Sequence, residues 1–256
     1  NLELKNYSEN STKIIKKCVD NKKNQKIVDI PTEGSINKDT RVVLTNAIYF
    51  KGNWTNQFEA SDTSKQNFTI SQDNIAKVSM MTKTSSFLYF EDSNIHAIKM
   101  PYQGGHLSMM VLLPKDNDLG SLVNSLSIEK LQQLNNNMTI QSVSAYIPKF
   151  SLDTKYTLND YLSSMGMPSA FSPADADFTG ITGNKDLSIS TAVHQAFVKV
   201  DEKGTEAAAA TGAVAQATSM MLAKEVFKAD HPFVFMIYDD QTGLVLFIGQ
   251  VVNPAV

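Results

Sequence analysis

The stretch Glu202-Lys203-Gly204-Thr205-Glu206-Ala207-Ala208-Ala209-Ala210-Thr211-Gly212 decides the reading of this chain. Propensity alone makes residues 206–210 helical, because alanine is the best helix former. The flanks point the other way. Upstream, residues 194–200 read as a strand, with Phe197, Val198 and Val200 suited to a sheet. Downstream, residues 213–219 are small and carry no helical apolar stripe. Read with period two, Thr205, Ala207, Ala209, Thr211, Ala213, Ala215 and Ala217 share one face, and none is larger than threonine. The opposite face, which includes Glu206, Ala208, Ala210 and Gln216, tolerates polarity. Such a segment can leave a sheet as a loop, or enter one as a central strand without overpacking it.

Other blocks stand in order along the chain. They are Thr45-Asn46-Ala47-Ile48-Tyr49-Phe50-Lys51-Gly52-Asn53-Trp54, Lys77-Val78-Ser79-Met80-Met81, Ile147-Pro148-Lys149-Phe150, Ala192-Val193-His194, Asp230-His231-Pro232-Phe233 and Phe247-Ile248-Gly249-Gln250-Val251-Val252-Asn253-Pro254. With the stretch from Glu202, they closely resemble the blocks of inhibitory serpins. The resemblance implies an α+β fold: a large mixed central β-sheet, further sheets, surrounding helices and an exposed reactive-centre loop over about residues 202–226. It also implies that residues 1–256 are the C-terminal two thirds of a single serpin domain, starting just before the helix that crosses the front of the main sheet.

Composition fits a globular chain with a large core. There are 256 residues with a net charge of −3, 42% hydrophobic and 19% charged. No run of about 18 apolar residues marks a membrane span. The lone Cys18 permits no internal disulfide and reads as an ordinary helix residue. The lysines at 13, 16, 17, 22, 23 and 26 form a cluster that could meet a polyanion. The overall negative charge favours the solvated face of a helix over residues 13–19 instead. Sequons occur at Asn6, Asn10, Asn53, Asn67 and Asn137, and Asn53, beside Trp54, is expected in a buried turn.

Strands are expected at residues 40–50, 87–90, 97–100, 107–113 and 142–147, the first buried on both sides by its near-continuous apolar run. Gln103-Gly104-Gly105 suits a hairpin turn. Short helices are expected at 127–134, capped by Ser127, and at 158–165. A closing hairpin should join residues 233–238 to 244–252. Catalytic signatures are missing: there is no Gly-x-Ser-x-Gly elbow, phosphate-binding glycine loop or His-Glu-x-x-His, and the four histidines lack metal-ligand spacing. Neither an enzyme nor a cofactor or metal protein is expected.

The remaining expectations follow from the resemblance. Glu202, Gly204, Thr205, Glu206, Ala207, Ala208, Ala209 and Ala210 correspond to the hinge of the reactive loop. Asn46 and His194 correspond to a bonded pair that holds the main sheet closed. Lys149 and Glu202 correspond to an ion pair near Trp54, at the top of that sheet, where an exposed pair contributes about 0–1 kcal/mol. Counting from Glu202 sets the reactive bond between Thr218 and Ser219. Met220-Met221 and Met221-Leu222 are alternatives, because the distal side is longer than is usual in the family. Small residues before Thr218 suit elastase-like or subtilisin-like proteases, and the methionines suit chymotrypsin-like ones.

The implied activity is suicide inhibition. A serine protease acylates on the loop, and the cleaved loop inserts into the sheet before the ester hydrolyses. Loop insertion of this kind in serpins is a known case of strand addition. About a dozen new backbone hydrogen bonds at roughly 0.5–1.5 kcal/mol each contribute on the order of 10 kcal/mol. Fourteen residues at about 3.3 Å each carry the protease about 45 Å. The expected partner is one target serine protease in a 1:1 covalent complex, with cysteine proteases as a second class. The inhibitor is expected to be an extracellular monomer without a nucleic-acid or membrane partner. The alternative is a non-inhibitory serpin serving as carrier, chaperone or storage protein.

Overall fold

The computed structural model describes residues 40–205 and 224–255. The lysine-rich segment, Cys18, residues 206–210 of the hinge and all the candidate reactive-bond residues lie outside them. In chain order the strands are β1 (Val42–Tyr49), β2 (Gly52–Asn53), β3 (Ser64–Ser71), β4 (Asn74–Glu91), β5 (Ile95–Pro101), β6 (Leu107–Pro114), β7 (Thr139–Pro148), β8 (Phe150–Thr157), β9 (Ile189–Asp201), β10 (Gly204–Thr205), β11 (Glu225–Lys228), β12 (Phe233–Asp239) and β13 (Val245–Val251). The helices are α1 (Leu119–Ser125), α2 (Ile128–Asn137), α3 (Asn159–Ser164), α4 (Pro168–Phe171) and α5 (Thr179–Thr182). None is long and apolar enough to cross a membrane.

Two compact units emerge. The first holds residues 40–50 and 152–198 of the described chain. In it β1 runs parallel to β9, with Asn46 opposite His194 and Tyr49 opposite Phe197. β8 flanks β9 on its other side. Gln195 of β9 donates from Nε2 to Asp153 of β8 at 2.6 Å. The expected double-sided burial of β1 is not met: Leu44 is 46% exposed. Among the described residues β1 has one strand neighbour in this unit, so its apolar run is only partly covered.

The second unit holds residues 51–151 and 199–255 of the described chain. Its main element is an eight-stranded sheet in the order β11-β7-β4-β5-β6-β12-β13, with β3 added on β4. β4 is long enough to serve three partners: β3 along its first half, β7 along most of the rest, and β5 at its end. One face packs Ala97, Met110, Leu112, Val234 and Met236 against Leu122 of α1 and Leu134 of α2. Elsewhere Phe233 meets both Phe68 and Phe150 edge-on. α2 starts as expected at Ser127, whose hydroxyl accepts from Lys130 N at 3.1 Å. The β5–β6 turn holds Gly104 and Gly105 at φ 104° and 77°, angles at which glycine is unstrained.

β11, the first strand after the proposed reactive loop, pairs in parallel with β7. The chain is fastened just beyond it. His231 Nε2 donates to Pro114 O at 2.6 Å, and Nδ1 donates to Asp230 Oδ1 at 3.0 Å. Both partners accept, which favours the doubly protonated ring. Burial opposes that charge, but the bonds to Asp230 and Pro114 outweigh it, and the imidazole is raised above its ordinary value of 6.5. A raised group contributes stability in full below its unfolded value and loses it as pH climbs through the folded one. Stability to urea should therefore fall as pH rises above about 6.5, and His231→Gln should flatten that slope. An equal slope in the variant would remove His231 from the cause.

Candidate functional site

The segment expected to act as the hinge begins where β9 ends. After Asp201 the chain turns through Glu202 and Lys203 and re-enters as β10, which runs antiparallel to β9 with Gly204 opposite Asp201 and Thr205 opposite Val200. On its other side β10 pairs antiparallel with β2, setting Gly204 against Asn53 and Thr205 against Gly52. Gly204 and Thr205 are thus a strand paired on both sides, and Thr205 is fully buried.

Every carbonyl of the turn has a donor. Trp54 Nε1 reaches Asp201 O at 3.0 Å, Phe58 N reaches Glu202 O at 2.9 Å, and Trp54 N reaches Lys203 O at 2.9 Å. Asp201 Oδ1 accepts from Lys203 N at 3.0 Å and closes the turn locally. The expected ion pair forms. Lys149 Nζ donates to both oxygens of Glu202, at 3.0 and 2.8 Å. It is less exposed than the sequence suggests, with the Glu202 side chain only 15% exposed. Thr63 Oγ1 adds a donor to Glu202 Oε1 at 3.0 Å. Burial alone would raise the Glu202 carboxyl. The bonds from Lys149, the backbone and Thr63 outweigh it and hold the group below the usual carboxylate range.

Trp54, also expected here, is 1% exposed and stacks on Tyr102 with ring centroids 4.5 Å apart and planes 15° apart. Tyr102 OH lies 2.7 Å from Thr205 Oγ1. Sequence reading missed Thr63 and Tyr102. No local motif marks either, because their partners lie over a hundred residues away. The only usable signal was chemical: a tyrosine inside the Pro101-Tyr102-Gln103 turn must satisfy its hydroxyl if buried. Asn53 is a correction. It is exposed, not buried, because it neighbours buried Trp54 on an extended segment whose side chains alternate.

In the first unit, Asn46 Nδ2 donates to His194 Nδ1 at 3.2 Å, the expected pair. It is no core contact, however: Asn46 is exposed and His194 half-buried. No group of three or more His, Cys, Asp or Glu side chains that could hold a metal occurs among the described residues.

Gly204 fits this site for a steric reason. Its φ is 149°, and a Cβ there would stand 2.1 Å from Gly52 O and 2.7 Å from Asn53 Cα. Backbone cannot swing aside as a side chain can. Gly204→Ala should expel β10 from its place between β2 and β9 and lower stability by about 1–3 kcal/mol. Thermal unfolding checks this, and an unchanged midpoint would mean that β10 is not seated as described.

The chain resembles known proteins along its whole length. A family model for serpins (serine protease inhibitors) matches residues 1–254. An uncharacterized serpin-like protein of Methanosarcina acetivorans is 44% identical over 254 residues, 99% of this chain and 59% of that protein. Leukocyte elastase inhibitor A of Rattus norvegicus is 37% identical, over 99% of this chain and 69% of its own. The solved structure of human thyroxine-binding globulin complexed with thyroxine superposes with a TM-score of 0.87 at 29% identity, covering 98% of this chain and 66% of that one. This chain therefore spans 59% of the length of the Methanosarcina relative. With the α+β fold and the ordered sequence blocks in agreement, the chain belongs to the serpin family.

Proposed function

We propose that the chain forms part of a suicide-substrate inhibitor of serine proteases, which traps the acyl-enzyme by inserting its cleaved loop beside β9. One observation carries this reading. β1 lies directly against β9 in parallel, while Thr205, the first small residue of the loop, already pairs antiparallel to β9. Carried onward in the β10 register, Ala207 falls against Val198, Ala209 against Ala196 and Thr211 against His194. The count reaches His194, whose pair with Asn46 insertion must open. Thr211 would then offer its hydroxyl to two groups that lose each other. Parallel pairing is slightly less stable per residue than antiparallel, so replacing one parallel interface by two antiparallel ones is downhill.

Every residue on the inward face from Thr205 to Ala217 is alanine or threonine, which a preformed sheet accepts without overpacking. The alanine-rich hinge, Glu206, Ala207, Ala208, Ala209 and Ala210, belongs to this reading, as does a reactive bond at Thr218-Ser219. The target is an elastase-like, subtilisin-like or chymotrypsin-like protease in a 1:1 covalent complex. The relative that carries an elastase inhibitor's name supports that class.

A second reading rests on a different observation. A cavity of about 560 Å³ lies beside α2, lined mainly by Met110, Leu131, Asn135, Met236, Tyr238 and Leu244. It is large enough for a small ligand. One solved relative is a thyroxine-binding globulin, and a carrier role here would use such a space.

Incubation with pancreatic elastase, subtilisin and chymotrypsin separates the two readings. The inhibitor reading expects an SDS-stable covalent band and a released C-terminal peptide that begins at Ser219. A peptide beginning at Met221 or Leu222 moves the bond and shifts the target class. Thr205→Arg places a charge in a dry site, and Ala207→Pro removes a ladder donor from a central strand. Each should keep cleavage and lose the covalent band. Cleavage without any band in the parent protein, with thermal stabilisation by a small ligand such as thyroxine, favours the carrier.

A further inference from the structure

The sequons at Asn53, Asn67 and Asn137 lie within the described residues, and neither the inhibitor nor the carrier reading uses them. A glycan is bulky, so the folded protein must give it room and must not need the amide nitrogen elsewhere. Asn53 directs Nδ2 at Gln103 Oε1, 3.5 Å away, on the strand that pairs with β10. Asn137 donates Nδ2 to Gln133 O at 2.8 Å, within the last turn of α2. Asn67 differs from both. It is exposed in the middle of β3, on the same face as Lys65 and Thr69, while Phe68 turns inward and is 0% exposed. Lys77, opposite it on β4, is exposed as well.

β3 is also an edge. Among the described residues it pairs with β4 alone. Thr69 N donates away from β4, to Asp230 O at 2.7 Å. By the alternation of an antiparallel ladder, the N–H and C=O groups of Lys65 and Asn67 face that same open side. A bare edge is a template for another strand. The charge of Lys65 guards one end of this edge, and the bond to Asp230 occupies the other. Asn67 stands between them.

We propose that Asn67 is an N-glycosylation site whose glycan shields the open edge of β3. The co-reactant is a lipid-linked oligosaccharide. Asn67 Nδ2 bonds to the anomeric carbon of the sugar, the sugar–phosphate bond breaks, the lipid phosphate leaves, and one amide proton is released. Thr69 is the hydroxyl residue that completes the sequon. The proposal rests on an extracellular route for the protein and is independent of loop insertion.

The test is secretion of the protein from a eukaryotic host. Enzymatic deglycosylation in heavy-oxygen water then turns each occupied asparagine into a labelled aspartate, which peptide mass mapping locates. Label is expected at Asn67. Asn67→Gln and Thr69→Val should each lose that glycan, and Thr69→Ser, which keeps the sequon, should retain it. Sedimentation reads the shielding: the glycosylated protein should stay monomeric at concentrations where Asn67→Gln self-associates. An unlabelled Asn67 in the secreted protein overturns the site, as does label at Asn53 or Asn137 in its place. Equal association with and without the glycan overturns the shielding. Neither readout uses a protease, so a failure of the inhibitor reading leaves both intact.

Discussion

The structure turns on what a strand needs on both of its edges. Backbone N–H and C=O groups inside a sheet must be paired, and a central strand finds partners only if its neighbours stand a strand's width apart. β10 meets this condition for two residues, with β9 on one side and β2 on the other. The described residues around the turn are arranged about that short strand. Gly204 supplies the missing side chain, Thr205 the small buried one, and the carbonyls of residues 201–203 take Trp54 and Phe58 as donors. Extending the loop inward would prolong a pattern that the fold has already begun.

The Lys149–Glu202 ion pair and the Tyr102–Thr205 contact hold opposite ends of the turn. Lys149 and Thr63 fix Glu202, the residue at which the chain turns. Tyr102 fixes Thr205, the residue at which it re-enters. The first set keeps a charge that is partly solvated, so its contribution is small and falls as acid protonates Glu202 through its lowered value. The second is neutral and dry, where leaving one partner unsatisfied carries the larger penalty. Beyond β11, the contacts of His231 with Asp230 and Pro114 O secure the chain by a third kind of contact.

Much of this was legible in the sequence, for identifiable reasons. β5, β6, β12 and β13 carry enough apolar residues to stand out, and the glycines of the β5–β6 turn mark its left-handed angles. β3 was not among the expected strands because Lys65, Gln66 and Asn67 give it no apolar run, although they sit on a strand that pairs with β4. Most of β4 was missed because Thr82, Lys83, Thr84, Ser85 and Ser86 are polar. There the pairing with β7 and the hydroxyl contact of Thr84 with Ser144 override propensity. Glu202, Lys149 and Trp54 were found through family resemblance, not local pattern. Thr63 and Tyr102 were invisible because a contact across such sequence separation leaves no local trace. The burial of β1 was overestimated because an apolar run states what a strand can bury, not what covers it.

Amide hydrogen exchange across residues 206–217, before and after a single clean cut between residues 214 and 222, tests the central claim most directly. Insertion beside β9 predicts that these amides become as protected after the cut as those of β9 itself, and that the Asn46–His194 contact is lost at the same time. Exchange of the same amides at the rate of a free peptide after complete cleavage would contradict insertion and leave the non-inhibitory reading in its place.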